Sequence, residues 1–511
     1  MNGINEKWGA WSNKPEPIRQ EEVIETISAD IIVVGAGISG VTCALRAAQT
    51  GSTVLVCEKS DSWVGRGGNI GVANSSFMKS KGFEYDVGEI AREWIKRCGN
   101  RCDEGIVWLY LSNSNRAMDW LCDIVTKPEY GARPELQGCV YNGETYREIF
   151  GSHRFFDGPM AKKGSRAGAA DAVYAMYTEA VKLGVQFLFN APATQLLSEG
   201  ERVTGVYVRE ESDDGYLLAK AHKAVVLATG GIGGNADMCE DLAPLANRCA
   251  MKIYWPKDAD AGDGHRMGLW AGGTLEDPPF PMILHPQAFL TSNYCFLFVK
   301  QDGTRFMNED NYIQGKSIAI LRERMTFAWS IIDSAWREKV PPTLDFGGGI
   351  FWGQDCAPGE EGFDPDQEQR SFERGIERGV IVVAETPEEL AIKMEVPVDV
   401  FLSTFIRYNQ MVALGTDKDF GKRKELLIAL DEPPYYGIKF GPALLSVVGG
   451  LRVDTKMRVL GESGRPVDGL YAIGNAMGGR YGVDYPMMIP GNSNGTALTY
   501  GYLLGEQISN S

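Results

Sequence analysis

The sequence predicts a doubly wound α/β protein carrying an inserted second domain, on three observations. Near the N-terminus a short apolar strand runs straight into a glycine-rich turn and a helix. Strand-like and helix-like runs then alternate to about residue 280, the order that builds a parallel sheet covered on both faces. A further strand meets a turn and a helix near the C-terminus, so that both ends of the chain return to one domain.

The first element is Asp30-Ile31-Ile32-Val33-Val34, a buried strand by its unbroken apolar run. Gly35-Ala36-Gly37-Ile38-Ser39-Gly40 follows at once, then a helical segment from Val41 to Gln49 with Gly51 as its C-terminal cap. The second strand, Thr53 to Cys57, ends at Glu58. Each part has a physical task in a dinucleotide site. Gly35 permits the tight turn, Gly37 the approach of a pyrophosphate, and Gly40 the close packing of helix on strand. The helix N-terminus offers free N–H groups and the positive end of its dipole. Glu58 is placed to accept hydrogen bonds from ribose.

Three later segments select FAD over NAD. Gly65-Arg66-Gly67-Gly68-Asn69 is a second glycine cluster. Residues 224–234, AVVLATGGIGG, form a strand entering another glycine turn that includes Ala228, Thr229 and Gly230. Residues 469–475, GLYAIGN, are a strand meeting a turn, with a helix-forming run beginning near Gly495. A ligand touched by both chain ends is long, and extended FAD fits. No second fingerprint with its own strand, helix and acid is present, so a separate electron donor or acceptor is expected.

Composition agrees. The 511 residues, 44% hydrophobic and 23% charged, suffice for roughly two to four ordinary globular domains. A net charge of −16 argues against nucleic acid and anionic membrane as partners. No run approaches the roughly 18 apolar residues of a membrane span, and no secretory signal is read at the N-terminus. The ten cysteines form no CxxC pair; they read as thiols of a reducing compartment, with the cytoplasm as the expected location and no metal site.

Together VVGAGISG, the GGN after EKS, ATGG, GDG at 262–264, GTRFMNED at 303–310, GGLRVD at 449–454 and GLYAIGN resemble the fumarate reductase/succinate dehydrogenase flavoprotein superfamily, which also contains 3-ketosteroid dehydrogenases. The resemblance covers nearly the whole chain after about residue 28. It implies an FAD domain over 28–280 and 446–511, an inserted α+β capping domain over 281–445, and a polar N-terminal arm over 1–27. It implies cofactor contacts at Gly35, Ala36, Gly37, Ser39, Gly40, Glu58, Lys59, Arg66, Gly67, Gly68, Asn69, Ala193, Ala228, Thr229, Gly230, Asp263, Gly474, Asn475, Asn494, Ala497 and Leu498. Asn475 stands where the family usually has an acid, and an amide can still bond ribose. The covalent-attachment histidine is not seen beside the GGN segment, where Arg66 and Ile70 stand, so FAD is expected to be non-covalent. The helix from Gly491-Asn492-Ser493-Asn494 resembles the segment that aims its N-terminus at the flavin's N1–C2=O edge.

Position by position, the resemblance also marks the substrate site. The proton-donor Arg of fumarate reductases falls on Ile313, beside Tyr312; their carboxylate-clamping Arg falls on Tyr485; a carboxylate-binding His falls on Ser446. Only His285 matches a substrate-side histidine. Tyr312, Tyr485, Tyr481 and His285 are therefore the candidate catalytic residues. Arg480 and Ser446 are the candidate substrate contacts, with Arg480 available either to a substrate carboxylate or to Asp484. Phenols can hydrogen-bond a ketone and move a proton; they cannot neutralise two carboxylates. The leading expectation is an FAD enzyme acting on a C=C bond conjugated to a ketone, a 3-oxo-steroid-like enone above all. An aryl acrylate-type enoate reductase anchored by Arg480 is a second reading. A flavoprotein that only shuttles electrons is a third, from another class. Along the chain, Arg202 to Lys223 reads as a hairpin turning at Asp213-Asp214-Gly215, and Asp355 to Asp366 as a surface loop.

Overall fold

The first strand is longer than its apolar run. In the computed structural model, which describes residues 8–136, 148–163, 168–209, 215–253, 259–290, 294–349 and 363–509, it spans Val23–Val34. The N-terminal arm thus gives its last residues to the sheet, because the exposed half of the strand pairs with Tyr216–Leu227 from Val23 onward. Only the second half, Ile31 to Val34, is apolar on both faces. That half is the part the sequence pattern marks.

The main sheet has eight strands. Val23–Val34 lies between two parallel partners: Val54–Cys57, in register Ile31 with Val54, and Tyr216–Leu227. Gln186–Leu188 extends the sheet on one side, and Pro466–Ala472 joins Tyr216–Leu227 on the other. The C-terminal segment therefore completes the N-terminal domain. Arg202–Val208 pairs antiparallel with Tyr216–Leu227, as a hairpin requires; residues 213 and 214 of its turn lie outside the described residues.

The helix Ile38–Gln49 begins one turn earlier than Val41, with Gly37 as its N-cap. It packs against the C-terminal helix Asn492–Ser509 through missing side chains. A Cβ on Gly501 would lie 2.6 Å from the Ser39 carbonyl oxygen, and one on Gly505 2.6 Å from that of Cys43. Two helices from opposite ends of the chain are thereby locked at backbone contact.

A second, six-stranded sheet is centred on Tyr435–Val447. Met282–Phe289, Ala328–Asp333 and Ile381–Ala384 pair with that strand antiparallel, and Met251–Lys252 parallel. The sheet thus takes one strand from before residue 281 and carries its central strand past 445, so both expected boundaries are crossed by hydrogen-bonded strands. Its own core contains Phe296, Leu297, Ile331, Phe401 and Tyr408. The GTRFMNED motif is braced there: Arg305 forms buried ion pairs with Glu309 at 2.7 Å and Asp417 at 2.8 Å. Asp355 to 362 of the expected loop lie outside the described residues, while Asp364 caps the helix Pro365–Glu377. Tyr312 and Ile313, from this inserted region, pack in the same core as Ile31, Tyr481 and Tyr485. The two regions meet at those side chains.

Candidate active site

The glycine turn leaves one open face. Gly35 sits at φ +108°, where an added Cβ would lie 2.5 Å from the Ala228 carbonyl oxygen, and a Cβ on Gly40 would lie 1.9 Å from that of Gly35. At Gly37 an added Cβ meets nothing within 4 Å. Gly35 and Gly40 thus serve the protein's own packing, and Gly37 faces the space where a pyrophosphate would approach the helix N-terminus. The buried Glu58 accepts the Ala36 N–H at 2.7 Å through one oxygen and the Ser60 N–H at 2.8 Å through the other. It shapes the turn as well as facing the expected ribose. The Ala191 N–H donates to the Glu58 carbonyl, which brings the strand beginning at Ala193 beside it.

The remaining candidates gather around this turn. Lys59 pairs with Asp263 at 2.9 Å, and Thr229 accepts the Gly264 N–H at 3.1 Å. The Ala228 N–H donates to the Val34 carbonyl. Arg66 pairs with Asp260 at 2.9 Å. Asn494 donates to the carbonyls of Arg66 at 3.3 Å and Asn69 at 2.9 Å, tying the GRGGN loop to the start of the C-terminal helix. A Cβ on Gly67 would touch that Asn494 amide, one on Gly68 the Arg154 guanidinium, and one on Gly230 the Asp260 carboxylate. Gly474, at φ +63°, presses on Ser39 in the same way. Ala497 and Leu498 are buried in the second turn of the C-terminal helix. The glycine turns, the open face at Gly37 and the N-terminus of Ile38–Gln49, which no side chain caps, together fit an extended FAD.

Asp260 was not singled out from the sequence. It is buried at φ +55°, accepts the Gly231 N–H at 3.0 Å and holds Arg66. Its only sequence signal is an acid three residues ahead of Asp263, in the same glycine-bearing segment.

On the substrate side, Tyr312 is the N-cap residue of the helix Ile313–Arg322, which turns its ring into the inter-domain core. Its hydroxyl donates to Asp484 Oδ2 at 2.7 Å. Asp484 Oδ1 accepts from Gln314 Nε2 and from the Tyr485 N–H, each at 2.9 Å. Gln314 is itself fixed, donating to the Met282 carbonyl at 2.7 Å and accepting the Leu284 N–H at 2.8 Å. Burial pushes the Asp484 carboxyl above its ordinary range, against the pull of Tyr312, Gln314 and Arg97. Neither Gln314 nor the Tyr312–Asp484 contact emerged from the sequence; the adjacency of Asp484 to Tyr485 was the available hint.

The other two tyrosines differ in what their hydroxyls do. The Tyr485 oxygen accepts the Ser493 N–H at 3.0 Å, at the first turn of the C-terminal helix. Among the described residues no acceptor takes its proton. The Tyr481 hydroxyl donates to Asn492 Oδ1 at 2.8 Å, and its ring stacks on Trp94 with centroids 5.7 Å apart. The two rings meet edge to face at 5.2 Å. Burial raises both phenols, Tyr485 well above its usual value.

Arg480 is 1% exposed and committed to the protein. It donates to Thr496 Oγ1 at 3.1 Å, to the carbonyls of Val448 at 3.1 Å and Met477 at 3.2 Å, and to Asn475 Oδ1 at 3.3 Å. Asp484 is not its partner. Asn475 also bonds Ser446 Oγ at 3.0 Å, so Ser446 and Asn475 belong to one network with Arg480. His285 is buried on Met282–Phe289, opposite Ala443, with burial holding its imidazole down at about 4 and therefore neutral. Its strand neighbour Leu284 is the residue bonded to Gln314. Cys98 and Cys102 are free thiols, and among the described residues no group of acids, histidines and cysteines could hold a metal ion. Among the same residues no helix is long and apolar enough to cross a membrane.

This arrangement has a family. The model of the FAD binding domain family matches residues 30–493, and the chain belongs to that family. It is an FAD-dependent oxidoreductase of the fumarate reductase and ketosteroid dehydrogenase superfamily, whose members act on CH–CH groups. It is similar to vinyl phenol reductase from Lactiplantibacillus plantarum, 28% identical over 498 residues, which cover 93% of this chain and 95% of that protein. It is also similar to 3-oxosteroid 1-dehydrogenase from Mycobacterium tuberculosis, 26% identical over 94% of this chain and 98% of that one. The 3-ketosteroid-Δ4-(5α)-dehydrogenase from Rhodococcus jostii RHA1, solved in complex with 4-androstene-3,17-dione, shares the fold at a TM-score of 0.71 and 23% identity, over 97% of this chain and 100% of that chain.

Proposed function

We propose that this protein reduces, or in reverse introduces, a C=C bond conjugated to an uncharged oxygen-bearing group, with a 3-oxo-steroid-like enone as the leading substrate. One observation carries the reading. The hydroxyl of Tyr485 accepts a backbone N–H from a helix N-terminus, which leaves its proton to be donated to a neutral oxygen. The helix dipole polarises that O–H further. Tyr485 anchors and polarises the carbonyl, while Tyr312 serves the proton at the neighbouring carbon. FAD, when bound, supplies the hydride chemistry; it is held without a covalent bond, and its electrons come from or go to a separate carrier.

Charge supports a neutral substrate. Desolvating a carboxylate needs a cationic partner. The positions where fumarate reductases keep such groups are Ile313, Tyr485 and Ser446 here, and four of the five N–H donors of the Arg480 guanidinium are already given to protein acceptors, which leaves no bidentate pair for a carboxylate. That occupancy counts against the enoate reading. The names of two relatives, an oxosteroid dehydrogenase and a vinyl phenol reductase, also describe uncharged conjugated substrates.

An anaerobic screen of the dithionite-reduced, bleached protein tests the reading. Reoxidation by 3-oxo-enes or 4-vinylphenol, with fumarate and aryl acrylates inert, is expected. Reoxidation by enoates alone would transfer the assignment to the Arg480-anchored alternative, and reoxidation by none would leave an electron-shuttling flavoprotein. Acid denaturation should release all of the yellow cofactor from the polypeptide.

A further inference from the structure

We propose that Asp484 is the proton gate of Tyr312, a carboxyl group that reloads the buried phenol from solvent during reduction and unloads it during dehydrogenation. The inference rests on the assignment of Tyr312 as the proton-carrying residue. It adds a residue and a route that the assignment lacks.

Tyr312 is 6% exposed. Once it has given up a proton it needs a path for the next one. Asp484 is half-buried and follows Val483, which is 40% exposed, so it lies between the core and the surface. The two oxygens of its carboxyl group are not equivalent. Oδ1 accepts two N–H groups, from Gln314 and from Tyr485. The orientation of the Gln314 amide is fixed because the Leu284 N–H can only donate to its oxygen. An oxygen that accepts two N–H donors has no room for a proton of its own. A proton on Asp484 therefore sits on Oδ2, and Oδ2 is the atom 2.7 Å from the Tyr312 hydroxyl.

The protonation state of Oδ2 decides where the phenol points. When Asp484 is ionised, Tyr312 donates to it and offers nothing to a substrate carbon. When Asp484 is protonated, Oδ2–H donates to the phenol oxygen and the Tyr312 proton turns from the carboxyl group to the substrate. In reduction the π bond of the C=C breaks, and one carbon takes hydride from the reduced cofactor. The other carbon takes the Tyr312 proton, Tyr312 takes the Oδ2 proton, and the carboxylate is reprotonated by water. Dehydrogenation runs the same transfers backward and starts from the carboxylate. Reduction should thus weaken as pH rises through the ionisation of Asp484, and dehydrogenation should strengthen. Burial moves that ionisation upward, toward neutral pH. Among the described residues the charged or titratable groups facing Asp484 are Tyr312, Arg97 and the thiol of Cys98, which donates to the Asp484 carbonyl at 3.8 Å.

The test uses FAD-loaded protein labelled with ¹³Cζ-tyrosine. Tyr312→Phe identifies the Tyr312 resonance. In the parent that resonance should move in one titration step, the step should vanish in Asp484→Asn, and it should persist in Asp484→Glu. A Tyr312 resonance that titrates identically in Asp484→Asn, or that never moves in the parent, overturns the gate. Stopped-flow reoxidation by 4-androstene-3,17-dione supplies the second readout. The parent rate should fall about tenfold per pH unit above the ionisation. Asp484→Asn should be pH-independent and roughly 10²-fold slower at the acid end, the low side of general-acid effects. An unchanged rate and pH profile in Asp484→Asn overturns the gate and leaves the enone reading intact. Inert enones alongside a normal titration step overturn the enone reading and leave the Tyr312–Asp484 coupling standing.

Discussion

The end of this site that we assign to the cofactor and the end that we assign to the substrate are built from different material. The cofactor end is backbone: a turn from Gly35 to Gly40 whose shape depends on absent side chains, with Glu58 bracing it. The substrate end is side chain: Tyr312 and Gln314 from the inserted region, and Arg480, Tyr481, Asp484, Tyr485 and Asn492 from the C-terminal return. A site made of backbone tolerates little change in the protein and much in the ligand's neighbours. A site made of side chains can exchange its chemistry while the fold stays. That contrast explains how one superfamily holds a constant cofactor against varied substrates.

The largest effects should come from breaking the backbone end, and two glycines of one turn, Gly37 and Gly40, separate its two roles. Gly40→Ala puts a methyl group 1.9 Å from a carbonyl oxygen, a clash that backbone must relieve. Little folded protein should be recovered, and circular dichroism with gel filtration would register it. Gly37→Ala meets no protein atom within 4 Å. It should fold with a parent-like melting temperature when stripped of FAD, yet retain little FAD. Full retention would mean that Gly37 does not face the pyrophosphate.

At the side-chain end, Tyr→Phe removes one proton and leaves the ring. Tyr312→Phe should slow enone reoxidation of the reduced protein by roughly 10²–10⁴-fold with substrate binding little changed, the usual span of general acid catalysis. Tyr485→Phe should weaken both binding and turnover, because its contact with the carbonyl exists before the transition state and strengthens in it. Stopped-flow rates across a substrate series separate the two. A parent-like Tyr312→Phe would pass the proton role to His285.

The same contrast governs what the sequence reveals. Gly35, Gly37 and Gly40 are legible because consecutive residues perform the task, and spacing alone encodes a turn. The register of the main sheet follows from the apolar run at Ile31–Val34. The Tyr312–Asp484 contact spans 172 residues, and nothing local to either residue announces the other. Arg480 shows the opposite problem. As sequence it is a cation beside a substrate motif; its engagement by Thr496, Asn475 and two carbonyls appears only once the C-terminal helix is packed. The crossed boundaries at 281 and 445 have a similar origin, since Met251–Lys252 is too short to read as a strand until Ala443 and Leu444 pair with it.

Each end also rests on a buried neutral histidine, which yields a prediction about acid. His153 pairs with Ile70 beneath the GRGGN loop, and His285 lies on the strand bonded to Gln314. Burial lowers both from 6.5 to about 4. The unfolded chain then binds protons that the folded one refuses. The histidine contribution is full above 6.5 and declines as pH falls from 6.5 toward 4, by at most about 3 kcal/mol per histidine at one pKa unit per 1.4 kcal/mol. The carboxyls of Asp484 and Glu276, raised by burial, act with the opposite sign over the same range. Glu179, held at about 2 by Lys127, Lys182 and Tyr130, acts below this window. Urea midpoints are therefore compared between proteins: from pH 7 to 4.5 the parent should lose stability relative to His153→Gln and relative to His285→Gln. A parent-to-variant difference that stays constant over that range would mean that the imidazole in question reaches water.

The smallest effect should distinguish Tyr481 from its two neighbours. Its hydroxyl donates to Asn492 Oδ1 at 2.8 Å and lies 3.4 Å from Thr496 Oγ1, while its ring is fixed between Trp94 and Tyr485. Asn492 in turn donates to the carbonyls of Pro486 at 2.7 Å and Ile489 at 3.1 Å, closing the loop that presents Tyr485. The Tyr481 hydroxyl therefore serves the loop, and its proton is already placed on an acceptor. Tyr481→Phe leaves a buried amide oxygen without that donor, which costs about 1–3 kcal/mol. The melting temperature should drop by a few degrees for a chain of this size. Reoxidation by an enone should stay within about threefold of the parent, against the roughly 10²-fold or greater loss at Tyr312. A Tyr481→Phe variant that melts like the parent but reoxidises a hundredfold more slowly would move Tyr481 from the scaffold into the chemistry, and the division between a braced loop and a reacting pair would have to be redrawn around it.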